Sequence, residues 1–168
     1  MCSHQRHATG HAAQGQGVEV ELVNGITAGL AGATQCAIPL TLRGVARGVT
    51  LVTAHTQDDS QVNWQALAQS GTTLVVYMGV AKLSEIREQL LAGGMTADMP
   101  VAMIENASLP HQRECRSDLT AMEKDAQAFE LKSPAILVIG RVAASSAAQP
   151  SREENVWEPG LPAMQATR

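Results

Sequence analysis

An α/β fold, with a mixed and mainly parallel sheet and helices on both faces, is the fold class this sequence predicts. Three observations predict it. Residues 73–78 (Thr-Leu-Val-Val-Tyr-Met) and 135–139 (Ala-Ile-Leu-Val-Ile) are unbroken apolar runs, the pattern of strands covered on both faces. Between them Val80, Leu83, Ile86 and Leu90 fall on one helical face, with Lys82, Glu85 and Glu88 elsewhere, as in a helix packed on a sheet. Strand and helix signals also alternate along most of the chain, which is the order that produces layered α/β domains.

The elements follow in order. Val18, Val20 and Leu22 alternate with Glu19 and Glu21, a period of two that predicts a strand with one wet face. Residues 27–36 are rich in small side chains; Gly29 and Gly32 each weaken a helix by about 1 kcal/mol relative to Ala and are tolerated where something packs closely. Residues 49–53 read as a strand, and Asn63 as the N-cap of a short helix through Ala68. Gly93-Gly94 stops the helix that begins near Val80. Residues 101–104 are a further strand, and the segment around Gln112-Arg113 is expected to add an antiparallel one. Thr120 with Glu123 predicts a capping box for a helix to about Phe129. Residues 135–139 form the last buried strand, ended by Gly140. Residues 1–16 are expected to be a disordered lead-in, 17–142 the α/β domain, and 143–168 a flexible tail whose one large anchor is Trp157.

Composition narrows the function. The 168 residues are enough for one domain with a core built from aliphatic side chains, since aromatics make up only 2%. A net charge of -4 argues against a nucleic-acid surface, which carries a basic excess. Cys2, Cys36 and Cys115 are odd in number and contain no C-x-x-C pair, which fits a reducing, cytoplasmic setting better than a disulfide framework. No secretory h-region occurs, and no apolar run approaches the roughly 20 residues that span a bilayer. His4, His7 and His11 have metal-like spacing but no accompanying carboxylate or Cys cluster, so no metal site is expected. Phosphate-loop, nucleophile-elbow and zinc-protease motifs are absent.

Four sets of residues could carry chemistry. Gly25-Ile26-Thr27-Ala28 stands at a strand-to-helix junction, where free N–H groups and a hydroxyl suit polar ligand groups; the plainer reading makes Thr27 an ordinary N-cap. Tyr77-Met78-Gly79 ends the central strand, where ligands of open α/β sheets collect. Met78 there could pack on a nucleoside and Gly79 admit a close approach, against a plainer reading of Met78 as core. Glu105-Asn106-Ala107 also follows a strand and lines the same crevice or is a polar turn. Arg43, Arg47, Arg113 and Arg141 are candidates for carboxylates or plain surface charges. His55 with Asp58 or Asp59 is a dyad only if the fold brings them together.

Taken as an ordered set, these segments resemble a known family. Gly25-Ile26-Thr27-Ala28, Ile38-Pro39-Leu40-Thr41 with Arg43, Leu51-Val52-Thr53 with His55, Val75-Val76-Tyr77-Met78-Gly79, Met99-Pro100-Val101-Ala102, Glu105-Asn106, Gln112-Arg113, Ser133-Pro134 and Ile139-Gly140-Arg141-Val142 are similar to the C-terminal domain of the uroporphyrinogen-III C-methyltransferases, within the tetrapyrrole methylases. The likeness covers about three quarters of the chain.

The resemblance implies two α/β domains with S-adenosyl-L-methionine (SAM) between them, usually in a homodimer. It implies methylation of uroporphyrinogen III to precorrin-2, which feeds sirohaem, cobalamin and haem d1 synthesis. It places Thr27, Ala28, Met78 and Ala107 at the cofactor and, since the substrate carries carboxylates, makes Arg43 and Arg113 its expected contacts. The sequence departs from the family's pattern at Asn24 (Pro), Leu42 (His) and Ala107 (Gly); a methyl at Ala107 would crowd a cofactor lying against that backbone. The family's Gly-x-Gly-Pro-Gly-Asp loop, its proposed acid-base Asp and Lys, and its Gly-Asp-Pro segment do not occur. The expectation is therefore a truncated copy without the catalytic half, active only with a partner that supplies it, or else a non-catalytic remnant or dimerisation module.

Overall fold

The apolar runs become the middle of a five-stranded sheet in the computed structural model, which describes residues 19, 21, 23–55 and 62–144. The alternation at Val18, Val20 and Leu22, the stretches 1–16 and 145–168, the set His4, His7 and His11, and Asp58, Asp59 and Trp157 lie outside the described residues. In chain order the elements are helix α1 (Ala28–Gln35), β1 (Val49–Thr53), α2 (Trp64–Gln69), β2 (Thr73–Tyr77), α3 (Leu83–Ala92), β3 (Pro100–Glu105), β4 (Arg113–Asp118), α4 (Met122–Ala128) and β5 (Ala135–Ile139). Short 3-10 turns at Val80–Lys82 and Arg141–Ala144 follow β2 and β5.

The sheet order is β1-β2-β5-β3-β4. It is mixed, as expected, but the parallel majority is corrected: β1–β2 is parallel, whereas β2–β5, β5–β3 and β3–β4 are antiparallel. An apolar run reports that both faces of a strand are covered, not which way the strand points. β5 has its edges covered by β2 and β3, running against both, and its faces by the groups packed on either side of the sheet. The strand expected near Gln112-Arg113 is β4, antiparallel to β3 at the sheet edge.

Both faces are packed. Leu74, Val76, Val101, Met103, Leu137 and Ile139 meet Trp64 of α2, Leu83, Ile86 and Leu90 of α3, and Met122 and Ala126 of α4. Val75, Ala102, Ile104, Ile136 and Val138 meet Ala33 of α1, Cys36, Ile38, Val142 and Ala143. The period of 3.6 along α3 and of two along each strand is what divides the side chains between these layers.

Local signals explain most helix ends. Asn63 caps α2, its Oδ1 accepting from the Ala66 N–H at 3.0 Å. Gly93 and Gly94 close α3, with Gly94 at φ +94°, where a side chain would be strained. The capping box at Thr120 and Glu123 is corrected. Helix α4 starts at Met122 after Ala121, with no side-chain cap. The Thr120 hydroxyl donates to the Ala97 carbonyl instead, and Asp118 Oδ1 takes the Ala121 N–H at 2.8 Å. A nearby acceptor on another segment outcompetes the local motif because the tertiary chain is already there to receive the hydroxyl.

Candidate functional site

The pairing registers make β1, β2 and β3 run together and β4 and β5 run against them. The last residues of β2 and β3, Tyr77 and Glu105, and the first of β4 and β5, Arg113 and Ala135, therefore share one rim of the sheet. Met78 and Asn106 are the next residues out from this rim, on either side of β5. Both are left-handed, at φ 55° and 53°. Asn tolerates that conformation, but Met does so only at a cost of about 1–3 kcal/mol, which the surrounding structure must offset.

Helix α1 reaches the same rim. Its N-cap residue Thr27 makes no side-chain bond to the helix, so the plain N-cap reading does not hold. The Thr27 hydroxyl lies 2.6 Å from the Tyr77 phenolic oxygen instead, and that oxygen accepts the Gly29 N–H at 3.0 Å. The chain's single tyrosine, projecting from the end of β2, thus does the capping from outside the helix. Among the described residues no acceptor is paired with the Ala28 N–H. Close approach requires the two glycines: a methyl on Gly29 would overlap the Tyr77 hydroxyl and stand 2.6 Å from Val75 Cγ1, and one on Gly32 would stand 2.8 Å from Ala107 Cβ. The Ala107 methyl is therefore turned against α1 rather than outward.

Met78 is 51% exposed, so it is not a core methionine. Gly79, in contrast, is buried, and a methyl there would stand 2.9 Å from Leu137 Cδ1 and 3.1 Å from Ile86 Cδ1. The close approach it permits is to the core, which corrects the expectation that a ligand needs it. Asn106 is held by its N–H to the Pro134 carbonyl at 2.9 Å and by Nδ2 to Glu105 Oε1 at 3.2 Å. Buried Glu105 also accepts from the Lys132 N–H at 2.9 Å and from Arg113 Nη2 at 3.1 Å. The Lys132 backbone hydrogen bond, then Arg113, hold its carboxyl below the ordinary 4.5 against the opposing effect of burial.

Arg113 Nη2 also donates to the Phe129 carbonyl at 2.9 Å, and the guanidinium stacks 4.2 Å from the Phe129 ring centre. Arg43 stands elsewhere, exposed beside Gly44 in the tight turn closed by the Leu42–Ala46 bridge; among the described residues it makes no ion pair. Arg47 and His55 are exposed too. The structure thus brings Thr27, Ala28, Met78, Asn106 and Ala107 to one rim and leaves Arg43 on a separate loop. Cys36 is no nucleophile: burial, then the Glu114 side chain, push its thiol up to about 12. A cavity of about 310 Å³, lined by Val80, Leu83, Glu123 and Gln127 among others, lies on the opposite sheet face between α3 and α4.

Tyr77 and Glu105 stand in two of the candidate segments read from the sequence, Tyr77-Met78-Gly79 and Glu105-Asn106-Ala107, but a role of its own was legible there for neither; hydrogen-bond partners that define those roles lie 48 and 27 residues away, beyond any local pattern. Sequence separation of that kind leaves only residue type as a signal, here a lone tyrosine and an acid at the end of a buried strand.

The fold is similar to that of a solved uroporphyrin-III C-methyl transferase from Thermus thermophilus, complexed with S-adenyl homocysteine. The two match with a TM-score of 0.67 and 30% identity over 84% of this chain and 62% of that one. The family model of the tetrapyrrole (corrin/porphyrin) methylases matches residues 3–123, and the chain belongs to that family. It is 79% identical over 133 residues to a uroporphyrinogen-III C-methyltransferase of Pseudomonas fluorescens and 69% identical over 134 residues to one of Pseudomonas aeruginosa, matches covering 79% and 80% of this chain. The chain spans about half the length of these relatives, 54% and 55% respectively.

Proposed function

We propose that this chain forms the C-terminal wall of the SAM cleft of a uroporphyrinogen-III C-methyltransferase, and that this cleft, completed by a second wall, serves methylation of uroporphyrinogen III to precorrin-2. The observation that carries the reading is the meeting of Thr27, Met78 and the Asn106-Ala107 turn at one rim. The residues fit the group: a hydroxyl and an N–H at the start of α1 suit its polar atoms, and the exposed Met78 thioether suits an apolar ring face. The inward Ala107 methyl leaves the backbone of that turn free to lie along the cofactor.

SAM, when bound, supplies an electrophilic methyl group. The protein's own part is orientation, which can contribute about 7–11 kcal/mol when both reactants are held. Thr27, Ala28, Met78 and Ala107 hold the cofactor from one side. Exposed Arg43 receives a substrate carboxylate; Arg113, with one guanidinium nitrogen already committed to Glu105 and Phe129, offers its remaining donors to another. A homodimer and a cytoplasmic setting complete the proposal. Free Cys36 and Cys115 accord with the setting, as does the fact that, among the described residues, no helix is long and apolar enough to cross a membrane.

Calorimetric titration of SAM into the purified chain tests the reading. Micromolar binding with a matching rise in melting temperature is expected. Absence of both would leave a non-catalytic remnant or dimerisation module.

A further inference from the structure

Resting on the SAM reading, we infer that Tyr77 is a positioning residue: its hydroxyl fixes the direction of the Thr27 O–H, so that Thr27 acts as a hydrogen-bond donor to the bound cofactor. One direction is fixed by its partner, and the other is inferred from it. A backbone N–H only donates, so the Tyr77 oxygen is the acceptor for Gly29 at 3.0 Å. A phenolic oxygen has a single proton, and Thr27 Oγ1, 2.6 Å away, is the one possible acceptor for it among the described residues, so that proton is assigned to Thr27. Thr27 Oγ1 then accepts, and its own proton is left for a third group. The start of α1 presents N–H donors to it and no acceptor, and among the described residues Thr27 Oγ1 has no other hydrogen-bond partner than Tyr77.

The result is a pair of donors at the start of α1, the Thr27 O–H and the Ala28 N–H. Such a pair selects a ligand atom with free lone pairs and disfavours a cationic or donating one. Tyr77 can do this reliably because it is fixed at its root. Its carbonyl accepts the Ala54 N–H at 2.9 Å, its backbone pairs in register with Thr53 and Ile136, and Gly29 has no side chain to push the phenol away.

The test is calorimetric titration of S-adenosylhomocysteine into the parent chain and four variants: Tyr77→Phe, Thr27→Val, Thr27→Ser and the double variant Tyr77→Phe/Thr27→Val. Melting temperatures are recorded without ligand. Tyr77→Phe and Thr27→Val should each weaken binding about five- to ten-fold. The double variant should bind no more weakly than either single one, because both remove the same directed donor. Thr27→Ser should stay within about two-fold of the parent.

A purely structural phenol would lower the melting temperature of Tyr77→Phe yet leave its affinity unchanged, and that result overturns the inference. Additive losses in the double variant overturn it too. If Tyr77→Phe does not fold, equal binding by Thr27→Val and Thr27→Ser overturns it, whereas tight binding by the serine variant alone supports it. A parent chain that does not bind at all brings down the SAM reading itself and this inference with it; a parent that binds beside an equally tight Tyr77→Phe removes only the positioning role.

Discussion

Gly32 and Ala107 divide a single methyl-sized space between α1 and the turn after β3, since a methyl on Gly32 would stand 2.8 Å from Ala107 Cβ. Gly32→Ala should therefore cost about 1–3 kcal/mol of stability by overpacking, read as a lower urea midpoint, and adding Ala107→Gly should recover most of it. Equal midpoints for the single and double variants would show that the helix simply moves away. Glu105 makes a second prediction at the same scale. Its carboxyl is held below 4.5 in the folded protein, by the Lys132 N–H first and by Arg113. The stability it contributes is thus complete above the unfolded-state value and is lost as the pH falls through the lower folded value. Glu105→Gln should lose about 1.5–3 kcal/mol at neutral pH, and its urea midpoint should fall less steeply than the parent's below pH 4.5. The sequence marked Thr27, Met78 and Asn106 as polar or exposed strand-end residues, but not what holds them. Tyr77 and Glu105 act through partners distant in the chain, and no local period records such partners.

Helix caps show where local reading succeeds and where it fails. Asn63 was legible because a cap bond spans three residues, and it forms as expected; Asn63→Ala should cost about 1 kcal/mol, measured by urea denaturation. Thr120 offered the same signal, but its hydroxyl is taken by the Ala97 carbonyl 23 residues back, and Asp118 receives the Ala121 N–H. Asp118→Ala should accordingly lower the urea midpoint more than Thr120→Ala, because only Asp118 serves the helix start; the reverse order would restore Thr120 as the cap. The limits of β1 and β5 coincide with the sequence reading; β5 is buried along its whole length, as its apolar composition says, while β1 is a half-buried edge strand. Composition does not record their directions. β5 enters antiparallel between β2 and β3, a choice made by how the chain after α4 returns to the sheet.

The whole molecule is a sheet with α1 on one face and α2, α3 and α4 on the other. The rim where β2 and β3 end gathers the start of α1 and two left-handed residues, Met78 and Asn106. The cavity between α3 and α4 belongs to the other face and draws on none of these residues. A chain that spans about half the length of its relatives can form one wall of a cleft, and in the proposed cleft that wall is this rim. An amide correlation spectrum of the labelled chain, recorded with and without S-adenosylhomocysteine, decides it. The shifts should gather at Ala28, Gly29, Met78, Asn106 and Ala107 while Gly71 and Gly140, at the opposite rim, stay in place. Shifts confined to Val80, Leu83 and Gln127, or none at saturating ligand, would contradict the assignment.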